Sequence, residues 1–331
     1  MISCKTFLTT RLLQVPLEDL YRRFVRTLDM PPLRPNLMEQ HLVLMQRKPQ
    51  LKFYFQVLLA KPTQGIDVET VSDMDLISLA AASVCLIGTY GTGFRVGDKC
   101  IMTAAHVLQF ALEIQDGEIL DVDFGERSSC FKRCVQKKLN STELHVYAHF
   151  THGRDCYYKL TTLRYVDIHL DTAVVELAPS TDGNPFPQAF TRFRGDYKGR
   201  FSLIGHVGDR KLYREHNCYT ITEREVFQRM KIELWKRGIK PDHLEIYDKF
   251  GTDSSFLEFH CSLTHGASGS PGFVVHHGEV CVVTMLQAGY PENPSDIPID
   301  PRLCVEQGVT MTAIYQHIKS TDKELHQDIF G

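Results

Sequence analysis

The chain is 331 residues long, 43% hydrophobic and 23% charged, with a formal net charge of −3. Such a length and apolar share suffice for one or two domains with a full core and exclude a disordered chain, while the near-balanced charge leaves no electrostatic footprint for direct nucleic-acid binding. No apolar run approaches the roughly twenty residues that a bilayer span requires, so no membrane partner is expected.

The N-terminal stretch MISCKTFLTTRLLQV lacks the apolar centre of a secretion signal. It carries Lys5 and Arg11 with no acid before Glu18, as mitochondrial transit peptides do, which keeps that destination as the lesser alternative to nucleus or cytoplasm. Leu17, Leu20, Tyr21, Phe24 and Leu28 then recur at helical spacing, and KPTQGIDVETVSDMD, residues 61–75, reads as a polar linker. The expected division is a largely helical region with linker over 1–82 and a second domain over 83–331.

That second domain reads as mainly β. In GTGFRVGDKCIMTAAHVL, Phe94 to Val96 and Cys100 to Thr103 form two strands turned at Gly97-Asp98, and the second delivers small residues and His106. The segment DTAVVEL places Asp171 directly before a buried strand, with Asp167 just upstream as its competitor for the same role. Further on, TEREVFQRMKIELWKRG predicts a helix from about 223 to 237, with Thr222 and Glu225 as a capping box and Val226, Met230 and Leu234 on one face. Two positions remain open for that helix: beside the functional site, or packed on the domain away from it.

THGASGSPGFVV spends five consecutive positions, Gly266 to Ser270, on residues with almost no side chain. A loop of this kind leaves its backbone N–H groups uncovered for a close approach. The following GFVVHHGEVCVVTML reads as two strands joined at His277-Gly278, a rigid frame for Ser268. A serine nucleophile needs a base and a group to orient that base, and His106 and Asp171 supply both residue types.

The chain order His106, Asp171, Ser268, together with TAAHV, DTAVVEL and GASGSP, resembles the trypsin-like serine peptidases over about residues 83–320. The resemblance implies two six-stranded antiparallel β-barrels of the chymotrypsin type, here with a helical N-terminal extension. It implies peptide-bond hydrolysis through an acyl-enzyme, an oxyanion hole from the N–H groups of Gly266 and Ser268, and protein or peptide substrates. No cofactor or metal is expected, since no Cys or His pairs show ligand spacing. A non-catalytic peptide-binding module on the same fold is the alternative.

Several departures from the secreted enzymes narrow the reading. Ala267 stands where those enzymes carry an aspartate that meets a newly cut N-terminus, and none of the ten cysteines reproduces their bridges. Cys85, Cys100, Cys261 and Cys281 lie in apolar runs, as small core residues do in a reducing compartment. The sequon Asn140-Ser141-Thr142 is then idle. GASGSP with Ser270, LIGHVGDRK and VVTMLQAGY are similar to the family with sequence similarity 111, which implies a nuclear peptidase with chymotrypsin-like preference and possible self-cleavage. By the same resemblance Ser262, six residues before the nucleophile, forms the base of the primary pocket, with Val283 and Met285 beside it, a neutral recess for an aromatic or large apolar side chain. Neither the oligomeric state nor the physiological substrate follows from these residues.

Overall fold

The computed structural model describes residues 71–331, apart from 89–90, 116–123, 143–144, 153–154, 181, 196, 208–209, 262, 264–265 and 292–299. The expected helix around Leu17 to Leu28 lies outside these residues. Helix α1 (Val71–Ala82) opens the described part, so the last five residues of the stretch read as linker are helical. Ile77, Ala80 and Ala81 on its buried side pack into the barrel core, and that apolar contact overrides the polar character of the surrounding sequence.

Strands β1 (Val84–Ile87), β2 (Gly91–Val96), β3 (Cys100–Ala104), β4 (Tyr147–Phe150), β5 (Cys156–Asp167) and β6 (Thr172–Leu177) close into one barrel in the order β1-β2-β3-β6-β5-β4. A second barrel follows from β7 (Arg200–His206), β8 (Leu212–Thr220), β9 (Phe256–His260), β10 (Pro271–His276), β11 (Glu279–Tyr290) and β12 (Val305–Thr310), in the order β10-β11-β12-β9-β8-β7. Every pairing is antiparallel, and closure removes the unpaired edges that an open sheet would expose. These are the two six-stranded barrels expected for the chymotrypsin fold. The β10–β11 hairpin turns at His277 and Gly278 with φ of 52° and 73°, the left-handed pair that a two-residue hairpin requires.

The apolar residues of the barrels sort into three bodies, and a fourth lies under the inserted helix described below. Cys85, Ile101, Leu163, Ala173 and Val175 fill the first barrel together with Val107 and Leu108 of helix α2 (Ala105–Ala111) and Phe131 of helix α3 (Phe124–Leu139). Phe201, Leu203, Phe259, Val283 and Leu286 fill the second. Between the barrels lie Phe94, Met102, Val174, Ile204, Phe273 and Met285, sealed by Ile314 and Ile318 of the C-terminal helix Met311–Thr321 and by Leu325 and Ile329 of the last helix Lys323–Phe330. Each fully buried side chain of this size contributes about 1.5–3 kcal/mol, so the barrel interface is a core in its own right.

Among the described residues Arg95 is the largest wholly enclosed charged group, 2% exposed, and its guanidinium donates to the carbonyls of Pro187, Cys100 and Asp98. Burial pulls its pKa down, and the ring of carbonyls replaces the water it loses.

The inserted helix, α4 (Arg224–Lys236), covers nearly the span predicted for it. Its start differs from the expected capping box: Glu223 occupies the N-cap, and no side chain caps the first turn. Phe227, Met230 and Leu234 form its buried stripe against Leu244, Tyr247, Phe250 and Val305, with Val226 at the margin. The helix therefore packs on the second barrel, beside Tyr290 at the end of β11.

Candidate active site

His106 is the second residue of α2, so strand β3 delivers it straight into a helical turn. Asp171 sits in the turn between β5 and β6 with φ of 42°, a left-handed conformation that aspartate tolerates better than most residues. Three hydrogen bonds lock the two segments together. Asp171 Oδ2 lies 2.6 Å from His106 Nδ1, Asp171 Oδ1 accepts from the His106 backbone N–H at 2.9 Å, and the Ala105 N–H donates to the Asp171 carbonyl at 3.1 Å. The carboxylate thereby fixes both the ring plane and the nitrogen that carries the proton, leaving Nε2 as the acceptor in the neutral ring.

Asp167 is engaged elsewhere. Its Oδ1 accepts from the Leu170 N–H at 2.6 Å and its Oδ2 lies 3.2 Å from His317 Nε2, so it caps its own turn and pairs with the C-terminal helix. A cavity of about 540 Å³ opens at this second pair, lined by Asp167, His169, Leu170, Ser255 and His317. It lies behind the Asp171 turn, and neither His106 nor Ser268 lines it.

The loop carrying Ser268 is built from backbone. Gly266 and Gly269 hold φ at 96° and 86°, and a side chain at Gly269 would stand 2.0 Å from the Thr92 carbonyl oxygen. Gly269 N–H donates to Leu286 O and Ser270 N–H to Ala267 O, whereas the N–H groups of Gly266 and Ser268 have no hydrogen-bond partner among the described residues. Ala267 is buried against Phe259, Val283 and Leu286, which anchors the loop to the interior of the second barrel. The Ser268 hydroxyl donates to the Gln287 carbonyl at 2.9 Å.

Two residues essential to this arrangement were missed by sequence reasoning. Thr92, fully buried on β2, crosses from the first barrel to the loop of the second. Its N–H donates to Ser268 O at 2.8 Å, its hydroxyl donates to Gly266 O at 3.1 Å, and the same hydroxyl accepts from the His206 N–H at 2.9 Å. A threonine between two glycines carries no pattern that would single it out. Gln287, 5% exposed, holds the Ser268 hydroxyl with its carbonyl and donates from its side-chain amide to Leu170 O, next to Asp171. Its signal was available: it is the one side-chain amide in a largely apolar strand, VVTMLQAGY.

The exposed Phe110 ring stands edge-on to His106, with centroids 6.0 Å apart. His206 lies fully buried beside Thr92, its Nδ1 2.9 Å from Arg210 O, and burial lowers its pKa.

The residues read as a primary pocket fare differently. Ser262 lies outside the described residues. Val283 and Met285 are both buried, but they point into different bodies: Val283 into the second barrel with Ala267, and Met285 into the core between the barrels. Met285 therefore packs into the core between the barrels rather than beside Val283; a β-bulge opposite Gly272 and Phe273, at Val283, separates two residues that strict alternation would place on one face.

Among the described residues no cluster of His, Cys, Asp or Glu could hold a metal ion, and no helix is long and apolar enough to cross a membrane. A family model described as a trypsin-like peptidase domain matches residues 91–282, more than half of the chain. No curated protein matches the sequence significantly. Similar solved structures include the Rv3671c protease in its inactive form, at 14% identity and TM-score 0.42 over 79% of this chain and 99% of that one. A serine-to-alanine mutant of Rv3671c from M. tuberculosis H37Rv, also inactive, matches at 13% identity and TM-score 0.42 over 80% of this chain and 97% of that one. Superpositions of this quality carry no weight beside the strand order itself.

Proposed function

The chain belongs to the trypsin-like peptidase family, and from that premise we propose that it is a serine endopeptidase working through His106, Asp171 and Ser268. The observation that carries the reading is the double hydrogen bond from the Asp171 carboxylate to His106, made on the barrel to which Thr92 clamps the Ser268 loop. In the reaction the Ser268 hydroxyl turns from the Gln287 carbonyl toward His106 Nε2 and attacks the scissile carbonyl as the imidazole takes its proton. The uncommitted N–H groups of Gly266 and Ser268 then receive the oxyanion. His106 returns the proton to the leaving amine, and water repeats the sequence on the acyl-enzyme.

The same hydroxyl pose supports a second reading, a peptide-binding module that keeps the fold without turnover. Fluorophosphonate labelling together with peptide hydrolysis separates the two. Labelling and turnover that vanish in Ser268→Ala support the enzyme, and an unlabelled folded protein overturns it.

We place the protein in a reducing compartment, nuclear or cytoplasmic, because no disulfide joins any of the nine cysteines among the described residues and five of them are buried. Membership of the family with sequence similarity 111, and the chymotrypsin-like preference and self-cleavage that come with it, rest on GASGSP, LIGHVGDRK and VVTMLQAGY. The preference is tested by matched peptides that differ only at the residue before the cut.

A further inference from the structure

Glu306 on β12 pairs with Gly289 on β11 and with Phe259 on β9. Cross-strand partners share a face, so its side chain points to the same side as Phe259, into the second barrel. Phe259 and Leu286 on that face contact the cluster that holds Ala267, the residue before Ser268. The carboxyl thus lies on the wall that the nucleophile loop closes.

Its exact place is marked by a missing side chain. A Cβ on Gly289 would lie 2.6 and 2.8 Å from the two Glu306 carboxyl oxygens, so the carboxyl fills the space that a residue there would occupy. Gly289 itself is exposed and stands two residues beyond Gln287, whose carbonyl holds the Ser268 hydroxyl. At about 3.4 Å per strand residue, Gly289 lies roughly 7 Å along the strand from Gln287, about the length of one large side chain.

Glu306 has no hydrogen bond or ion pair among the described residues. Glu258 on β9 is bonded to Gln307, and Glu176 on β6 is paired with Arg164 and Lys99. Among the described residues the titratable groups near Glu306 are Cys218 on β8, Cys304 just before β12 and Tyr247 in the short helix Ile246–Lys249, with Glu215 beside Cys218; none of these is a cation. Burial alone pushes its carboxyl up to about 8.

We propose that Glu306 sets specificity by lining the recess for the side chain before the cut and presenting it with a carboxyl rather than a neutral wall. The proposal rests on the peptidase reading and replaces its wholly neutral pocket. Protonated, the carboxyl accommodates an aromatic ring and can donate a hydrogen bond to a phenolic tip. Ionised, it offers lysine or arginine the buried counter-charge that each would otherwise lack. An arginine side chain entering at low pH must expel the carboxyl proton to solvent, whereas a phenylalanine side chain needs that proton retained. The ratio of kcat/KM for the arginine peptide to that for the phenylalanine peptide therefore rises with pH by up to about tenfold per unit.

The test uses the full chain and matched fluorogenic peptides with Phe, Tyr or Arg before the cut, from about pH 6 to pH 9. Taking the ratio cancels the ionisation of His106, which acts on every substrate alike. A ratio that climbs in the wild type and becomes flat in Glu306→Gln supports the proposal. A pH-independent wild-type ratio overturns it, and so does an unchanged slope in Glu306→Gln. The wild-type profile stands by itself if that variant does not fold. Loss of both labelling and hydrolysis in the wild type would overturn the peptidase reading and this one with it, whereas a labelled enzyme with a flat ratio overturns this one alone.

Discussion

Replacing Thr92 by valine would remove one hydroxyl from the centre of the molecule and keep the side chain's shape. The hydroxyl accepts from the His206 N–H at 2.9 Å and donates to Gly266 O at 3.1 Å. His206 is fully buried, so its N–H cannot turn to water, and an orphaned buried donor costs about 1–3 kcal/mol. Gly266 is half-buried and its carbonyl regains water, which adds little. The expected loss is about 2 kcal/mol, or about 4–8 °C in Tm for a domain of this size.

Activity should fall by more than stability alone explains. Deleting one oxyanion donor costs about 10²–10³ in kcat, and Thr92→Val loosens the Gly266 peptide without deleting its N–H, so a loss of about 10- to 100-fold in kcat is expected. Thr103→Val is the control. It removes the 2.7 Å bond to the Thr92 carbonyl without touching Gly266, and should lower Tm while sparing kcat. Thermal unfolding gives the first quantity, and turnover normalised to fluorophosphonate-titrated sites well below Tm gives the second. A Thr92→Val enzyme with wild-type kcat per titrated site would refute the idea that the first barrel holds the loop in shape.

Asp171→Asn should cost on the order of 10⁴ in kcat by presenting the wrong imidazole tautomer, while Asp167→Asn, which disturbs the pair with His317, should leave kcat within a few-fold of wild type; steady-state rates on one peptide decide between them. Ala267→Asp should destabilise the protein by several kcal/mol, since Ala267 is 1% exposed in a cluster whose described members are all apolar, and a denaturant midpoint equal to wild type would contradict that. For the same reason, activity should not depend on a newly cut N-terminus: protein tagged directly before residue 71, which keeps α1, and the same protein untagged should hydrolyse a peptide at equal rates per titrated site. Glu306 gives a pH signature in stability. Its folded pKa is raised, so its contribution is fully present below the ordinary glutamate value and is lost as pH rises to about 8. Glu306→Gln should therefore raise Tm relative to wild type at alkaline pH, with no such gain near pH 4.5, as read from parallel melting curves.

Local chemistry in the sequence reached a long way. Small residues and glycines around Ser268, the hairpin signal at His277-Gly278 and the apolar run after Asp171 each reflect a local backbone demand, and each is met within a few residues of chain. The inserted helix was visible for the same reason, its 3.6-residue stripe being a property of one segment. What local pattern could not decide was every relation between segments distant in the chain. The apolar run directly after Asp171 favours it over Asp167, but the partner that engages each, His106 for Asp171 and His317 for Asp167, comes from the packing of distant segments. Thr92 acquires its role from a loop more than 170 positions away. Val283 and Met285 part because a bulge in β11 opposite Gly272 and Phe273 breaks the strand's alternation, and the register of a closed barrel is set by all of its strands together.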